Sequence, residues 1–389
     1  MIELEAKAFK PYVFSSKADK FWSPPFDVVT PEQEVDLKKN SFNITHITLP
    51  RGQNGIEDSS RKFDEWVRDG ILSQIQKDII ILLVQEFNHH GSAMQRFGII
   101  LLVSVNPDDG SIKPHEMTFS GPKKNRVDLM SATGLQPEPI FLVVPDPELP
   151  KAVETITGTM VPSRRFEEPS GVINRYYILK DEMDQNRILS LLKNRISIVA
   201  DGHHRLGAIR EIAEAKGDGW NYAMAYVVSS EDRALLIGGI HRVVKANIEP
   251  ESILTRLQES FSVKMEDRWD EKSICIVTRK GYINLSVPSE AKPDLKQRMV
   301  EDPGAFIREE ILKKACFLDD SSIEKSVLYL HDIEYVKNMV ESGKASFAVL
   351  MPDWDKDRFV EIVSSGKKLS QKSTFFYPKP PSGIAIYRP

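Results

Sequence analysis

The chain has 389 residues, of which 41% are hydrophobic and 28% are charged, and its formal net charge at pH 7 is −4. This length favours two or three domains, and the composition predicts a globular protein with a sizeable core rather than a disordered chain. The acidic balance argues against broad, sequence-independent binding to nucleic acid, so no nucleic-acid partner is expected.

Cys275 and Cys316 lie far apart and outside any metal-ligand spacing. We therefore expect reduced thiols in a cytoplasmic protein. The first five residues lack the profile of a signal peptide, and the longest aliphatic run, residues 79–84, is too short to cross a bilayer. The sequence thus predicts no membrane partner.

The hydrophobic pattern predicts a strand-like piece at 46–49 and an amphipathic helix over 61–72. Two strands follow, joined by a turn around His89 and His90, which is typical of a hairpin. Further along, the pattern predicts strands at 140–144 and near 176–179 and helices after Pro147 and over 184–194. The hairpin strands are expected at 79–87 and 97–105.

The remainder of the chain alternates strands and helices. Strands are predicted at 222–228, 235–244, 274–278, 283–287, 326–330 and 346–351, and helices at 250–261, 295–315 with a break at Pro303, 333–342 and 356–364. This interleaving predicts a mixed α/β (α+β) fold. We expect a first region over residues 1–248 that contains the functional site, and a C-terminal α/β region over 249–389. The last segment of the C-terminal region is expected to fold back to that site.

The most informative segment is 196–205, where an apolar run ends abruptly in Asp201, Gly202, His203, His204 and Arg205. The residues that follow have helical spacing, so the pattern predicts a strand, a tight turn and a helix. The N–H groups and dipole of a helix N-terminus favour an anion. Arg205 is a forked donor suited to phosphate, and Asp201 is suited to holding Mg²⁺ or polarising a hydroxyl.

Some of these residues are equally consistent with purely structural roles. Asp201 is a good helix N-cap. His203 and His204 would point about 100° apart on a helix, which argues against one shared metal ion. Lys123 follows a turn without the glycine spacing of a Walker loop.

Two further motifs lie near the C-terminal region. The strand ending in His241 and Arg242 follows Gly238 and Gly239, which mark either a close approach of backbone to a ligand or a bulge. The tail after Lys372 is typical of an edge strand with packed aromatics. If that tail folds back over a nucleotide, Lys372 becomes a phosphate ligand.

The run Asp201 to Arg205 resembles the Asp-Gly-His-His-Arg signature of a bacterial and archaeal family described as a domain of unknown function. Other elements of that family are matched in the same order along essentially the whole chain. They are Pro25-Phe26-Asp27-Val28-Val29, Pro114-His115-Glu116, Ser120-Gly121-Pro122-Lys123, His241-Arg242-Val243-Val244 and Gln371-Lys372-Ser373-Thr374-Phe375-Phe376-Tyr377-Pro378-Lys379. The chain departs from the family at Met117, where Arg is usual, and at Leu206-Gly207-Ala208, where Tyr-Glu-Thr is usual.

The family is grouped with the ParB and sulfiredoxin-like nucleotide-binding superfamily, whose relatives include free serine kinases. The resemblance implies that Glu116 and Asp201 are catalytic, with Asp201 also a candidate ligand of Mg²⁺. It implies ATP or ADP as phosphoryl donor and free L-serine as the acceptor that becomes O-phosphoserine. The expected nucleotide and phosphate ligands are Gly202, His203, His204, Arg205, Lys123, His241, Arg242 and Lys372.

Three other functions occur or are conceivable in this superfamily, and the residues weigh differently on each. A ParB-like switch or partner-binding protein would bind a nucleotide without transferring phosphate to a metabolite. A DNA-partitioning role disagrees with the acidic charge and the lack of a helix-turn-helix pattern. Sulfiredoxin-like repair needs a reactive cysteine, and neither Cys275 nor Cys316 lies in an anion-binding junction.

Overall fold

A computed structural model describes residues 4–106, 110–116, 120–217, 219–288 and 293–389. The chain divides into two compact units: the first unit contains residues 1–235 and 378–389, and the second contains residues 236–377. Helices and strands interleave in both, which confirms the mixed α/β prediction. These limits differ from the expected division at residue 248, which as a functional boundary stays a prediction.

The first unit contains eleven strands and seven helices in its described residues. Its strands are β1 Ala6–Lys7, β2 Tyr12–Phe14, β3 Leu72–Gln74, β4 Ile80–His89, β5 Ser92–Ser104, β6 Ile112–Pro114, β7 Ile140–Val144, β8 Arg164–Glu167, β9 Ile173–Leu179, β10 Ser197–Asp201 and β11 Tyr222–Ser229. Its helices are α1 Pro31–Lys38, α2 Thr45–Thr48, α3 Gly55–Arg68, α4 Ser120–Thr133, α5 Glu148–Thr157, α6 Glu182–Leu192 and α7 His203–Lys216.

Most of these strands form one mixed sheet in the order β6-β10-β7-β11-β5-β4-β9-β8, with β1 also paired to β5. Strands β7 and β11 are buried along nearly their whole length, as expected for strands covered on both faces. At one end of the order, β6 and β10 run parallel with Val199 opposite Pro114. This pairing positions the candidate site described below.

The predicted hairpin at 79–105 is confirmed by the antiparallel pair β4–β5. His90 and Gly91 form its turn with φ of 47° and 78°, the left-handed geometry of a tight two-residue hairpin turn. The expected strand at 46–49 is wrong, because this segment forms helix α2. The buried Asn43 side chain accepts a hydrogen bond from the Thr45 N–H and donates to the Trp22 carbonyl, so tertiary contacts hold the turn.

In the second unit the strands are β12 Leu236–Gly239, β13 His241–Val244, β14 Ser262–Glu266, β15 Ile274–Thr278, β16 Gly281–Ser286, β17 Val327–Leu330, β18 Phe347–Leu350 and β19 Thr374–Tyr377. Its helices are α8 Pro250–Gln258, α9 Pro293–Glu301, α10 Pro303–Phe306, a π-helix Ile307–Ala315, α11 Asp320–Ser326, α12 Ile333–Glu341 and α13 Lys356–Ser364. One sheet has the order β14-β16-β15-β18-β13-β17, and β12 pairs with β19. The expected break at Pro303 is confirmed.

The strand predicted over 235–244 is divided at Ile240 into β12 and β13, which belong to different sheets. At Gly239 a Cβ would lie 2.6 Å from the Met351 carbonyl oxygen and 2.7 Å from that of Pro352. The glycine therefore permits a close approach of two backbones. Among the described residues, no helix is both long and apolar enough to cross a membrane.

Candidate functional site

The junction between β10 and α7 has the predicted form: the strand ends at Asp201 and the helix begins at His203. Gly202 is the helix N-cap with φ +87°, a left-handed conformation that favours glycine. A Cβ there would lie 3.1 Å from Nε of Arg205 and 3.2 Å from Cα of Ile140. The N-cap interpretation of Asp201 is therefore wrong, because Gly202 occupies that position and no side chain caps the helix.

Asp201 lies between two cations. Its Oδ2 is 2.5 Å from the Arg205 guanidinium, and its Oδ1 is 2.7 Å from Nζ of Lys379. Burial alone would raise the pKa of Asp201, but the charges of Lys379 and Arg205 outweigh it and lower that pKa. The side chain is therefore an ionised, largely buried carboxylate.

Arg205 points into the protein. Its side chain is 3% exposed, and it donates to the Asp201 carboxylate and to the Pro139 carbonyl at 2.5 Å. Burial opposes its charge, but Asp201 raises its pKa. This geometry makes Arg205 the structural partner of Asp201, and its expected contact with a nucleotide phosphate stays a prediction.

The structure brings Glu116 and Asp201 together. The parallel register of β6 and β10 aligns residue 114 with residue 199, so the residues two positions beyond this aligned pair, Glu116 and Asp201, lie at the same edge of the sheet. The Glu116 charge acts on Asp201 and raises its pKa, in opposition to the two cations. The two carboxylates predicted to be catalytic are thus neighbours.

Two histidines lie beside these carboxylates. His115 is buried, its Nδ1 donates to the Val199 carbonyl oxygen, and its Nε2 is 3.4 Å from Oε1 of Glu116. Its ring centroid is 4.7 Å from that of His203. Burial, and then the nearby His115, lower the pKa of His203 to about 3, so this imidazole is neutral at physiological pH.

Nε2 of His203 is buried and has no hydrogen-bond partner among the described residues, and the predicted role of His203 as a phosphate ligand stays a prediction. His204 is partly exposed at the same end of α7. Met117, one of the departures from the family pattern, lies outside the described residues.

Lys379 was not among the predicted site residues. Its Nζ lies 2.8 Å from Oδ2 of Asp27 and 2.7 Å from Oδ1 of Asp201, and its side chain is 10% exposed. Burial opposes the charge, but the two carboxylates raise the pKa of Lys379. Asp27 and Lys379 each lie in a motif that carries the family resemblance, which is the signal that could have identified them.

A second buried group surrounds Phe26. Glu138 accepts hydrogen bonds from the Phe26 N–H at 3.1 Å and from Oγ of Ser382 at 2.6 Å. The Arg126 guanidinium lies 4.0 Å from the Phe26 ring centroid. No sequence pattern pointed to Glu138 or Arg126, because both are isolated charges in otherwise ordinary segments.

Lys123 does not reach the junction. Its Nζ lies 2.7 Å from Oε2 of Glu211, two turns along α7, and its methylene groups pass Gly207. It forms a half-exposed ion pair between α4 and α7, and its expected phosphate contact stays a prediction.

His241, Arg242 and Lys372 belong to the second unit. His241 Nδ1 accepts the Met351 N–H at 3.1 Å, and burial lowers its pKa to about 4. The buried Arg242 donates to the Ile240 carbonyl, and Lys372 is exposed with φ +57°. Their predicted roles in nucleotide binding stay predictions.

Asp201 does not fit the expected role of magnesium ligand. Mg²⁺ binds carboxylates, phosphates and water, and needs unobstructed oxygen atoms. Each Asp201 oxygen already faces a cation at 2.7 Å or less, and those cations would repel a divalent ion.

No sequence among curated proteins matches this chain. A conserved hypothetical protein from Pyrococcus furiosus is 15% identical, with 74% of this chain and 94% of that chain covered and a TM-score of 0.39. The structure described as free serine kinase in complex with AMP is 15% identical, with 71% of this chain and 86% of that chain covered and a TM-score of 0.40. A mutant of free serine kinase in complex with ADP is 14% identical, with 71% and 87% covered and a TM-score of 0.39.

A family model also matches residues 7–314, which include the paired carboxylates, the β10–α7 junction and most of both units. The chain belongs to the family described as "Protein of unknown function (DUF1015)".

Proposed function

We propose that this protein is a small-molecule kinase that transfers a phosphoryl group from ATP or ADP to the hydroxyl of free L-serine. The observation that carries the proposal is the pairing of Glu116 and Asp201 beside the N-terminus of α7. Phosphoryl transfer needs an anion-binding surface and a carboxylate that orients the attacking hydroxyl. The resemblance to relatives of free serine kinases, with a ParB and sulfiredoxin-like core, supports the choice of acceptor.

Glu116 is the proposed proton acceptor. The serine hydroxyl would donate its proton to the Glu116 carboxylate while its oxygen attacks the terminal phosphorus, and the bond to the leaving phosphate oxygen would break. The ionised Asp201, held by Lys379 and Arg205, would lie beside Glu116 and fix the charge of the site at that edge of the sheet. The N–H groups at the start of α7 would bind the phosphate oxygens. We expect Mg²⁺ to arrive as the counter-ion of the nucleotide.

The test is turnover by the purified full chain with Mg²⁺, L-serine and either ATP or ADP. O-phosphoserine should form, as followed by phosphorus NMR. Glu116→Gln should lower turnover more than nucleotide affinity, and Asp201→Asn should largely abolish product. Glu154→Gln, at an exposed site on α5, is the matched control and should act as wild type.

A ParB-like nucleotide switch is the second candidate. The observation in its favour is that both oxygens of Asp201 are paired, with Arg205 and with Lys379, which gives this carboxylate a structural role that does not require catalysis. Nucleotide binding without transfer to serine, or to a panel of hydroxylated metabolites, would select this function. Transfer to a different metabolite would retain the kinase and reject serine.

A further inference from the structure

The C-terminal segment 378–389 follows the second unit in sequence but belongs to the first unit. It is attached there by backbone pairs between Ser382 and Ser23, Ile386 and Tyr12, and Tyr387 and Gln136. Each pair is made by backbone hydrogen bonds of 2.7 to 3.2 Å. The segment is therefore an integral part of the first unit.

Buried side chains of the sheet hold the backbone of this segment at Lys379. Arg96 on β5 is fully buried and donates to the Pro378 carbonyl oxygen. Gln85 on β4 donates to the Lys379 carbonyl oxygen at 3.3 Å, and its own oxygen accepts from Arg96 at 2.5 Å. Two neighbouring carbonyl groups are thus bound from inside the sheet, and this leaves the Lys379 side chain directed at Asp27 and Asp201.

We propose that Lys379 is a positioning residue of the candidate site, which keeps the Asp201 carboxylate ionised and oriented beside Glu116. The inference rests on the proposed phosphoryl-transfer function and adds a residue supplied by segment 378–389. It acts on Asp201 through an ion pair of 2.7 Å, in a place where little water competes for either charge.

Charged groups from several elements act on Asp201. Lys379 comes from the C-terminal segment and Arg205 from α7, while Glu116 opposes both from the end of β6. Asp27 acts on both cations, and Glu138 acts on Arg205. The neutral His203 lies nearby, beside His115. Without Lys379, Asp201 would lose the larger of the two cationic effects that oppose burial and Glu116, so its pKa would rise.

The experiment compares wild type with Lys379→Met and Lys379→Arg, with Lys180→Met as a control at an exposed position of the same unit. Turnover with nucleotide and L-serine is measured from about pH 5 to about pH 9, where the acidic limb reports groups that must be ionised. For Lys379→Met that limb should move to higher pH. Turnover on the acidic side should then fall on the order of tenfold for each pH unit that the limb moves. For Lys379→Arg, which keeps the positive charge, the acidic limb should lie close to its wild-type pH.

A loss of turnover that is equal at all pH values, or no loss, would overturn the proposal, since a merely structural role predicts no movement of the limb. If wild type transfers no phosphate at all, the proposed function fails, and acid unfolding then decides the inference alone. The acid midpoint should be higher for Lys379→Met than for wild type, and this difference should disappear in an Asp201→Asn background. Equal midpoints would overturn the role of Lys379 independently of any activity.

Discussion

The guanidinium of Arg205 lies 2.5 Å from the Asp201 carboxylate one helical turn earlier, with both side chains largely withdrawn from solvent. Because Arg205→Met removes one of the two cations beside a buried carboxylate that keeps Lys379, it should lower the free energy of unfolding by about 3 kcal/mol, the lower end of the range for breaking a buried pair. Urea denaturation monitored by circular dichroism measures this loss. Arg187→Met, at an exposed position on α6, should leave the midpoint unchanged. A loss equal to that of the control would show that the pair contributes nothing.

Gly202 should not tolerate a side chain. Gly202→Ala places a methyl group against Arg205 and Ile140 and also imposes φ +87° on alanine. The matched control is Gly171→Ala, which has φ +83° but meets no atom within 4 Å. The left-handed conformation costs about 1–2 kcal/mol at either position. Gly202→Ala should therefore be the more destabilising of the two, as measured by thermal unfolding, and equal losses would contradict the packing argument.

The pH dependence of stability should contain a contribution from His203. Because burial and His115 lower its pKa to about 3, the unfolded chain binds a proton near the ordinary value of 6.5 while the folded chain does not. The free energy of unfolding should thus fall between pH 6.5 and about 3, by about 1.4 kcal/mol per pH unit from this residue.

Denaturant titrations of His203→Gln across this range should show the shallower slope. His90→Gln, at the exposed hairpin turn, should retain the slope of wild type. The interpretation fails if His203→Gln follows wild type at every pH.

Glu168 should contribute to the pH dependence of the free energy of unfolding with a sign opposite to that of His203. Burial raises its pKa to about 7, although Asn174 donates to it at 2.7 Å. Its folded form holds a proton that the unfolded form releases near 4.5, so stability should decrease as the pH rises from 4.5 through 7. Glu168→Gln should be more stable than wild type above pH 7, by on the order of 2 kcal/mol. Glu167→Gln, at the exposed end of β8, is the control, and identical profiles for both variants would contradict the assignment.

Local sequence patterns predicted many elements of this fold. The apolar run before Asp201 and the helical spacing after it predict the β10–α7 junction, and the turn residues His90 and Gly91 predict the hairpin. The elements that were predicted wrongly are those whose structure depends on residues far away in the sequence. Helix α2 is held by Asn43, and the division at Ile240 arises because β12 and β13 pair with strands that lie far along the chain.

The candidate site was predictable where a motif named the residue. Glu116 and Asp201 were identified through the resemblance, and the register of β6 and β10 then explains their proximity. The burial of Arg205 was not predictable from the sequence. An arginine at the start of a helix has the same local pattern whether it binds a phosphate or, as Arg205 does, a carboxylate and a carbonyl oxygen. The ion pair of Lys379 with Asp201 was likewise not predictable, because it joins residues 178 positions apart.

The discontinuity of the first unit has a consequence for biosynthesis. A ribosome that has just added Asp201 must still add the residues up to 379 before the lysine partner exists. At about 5–20 residues per second, this delay is on the order of 10–40 s. During that time the nascent junction has Arg205 but lacks Lys379, so chains terminated early should be released with an incomplete site.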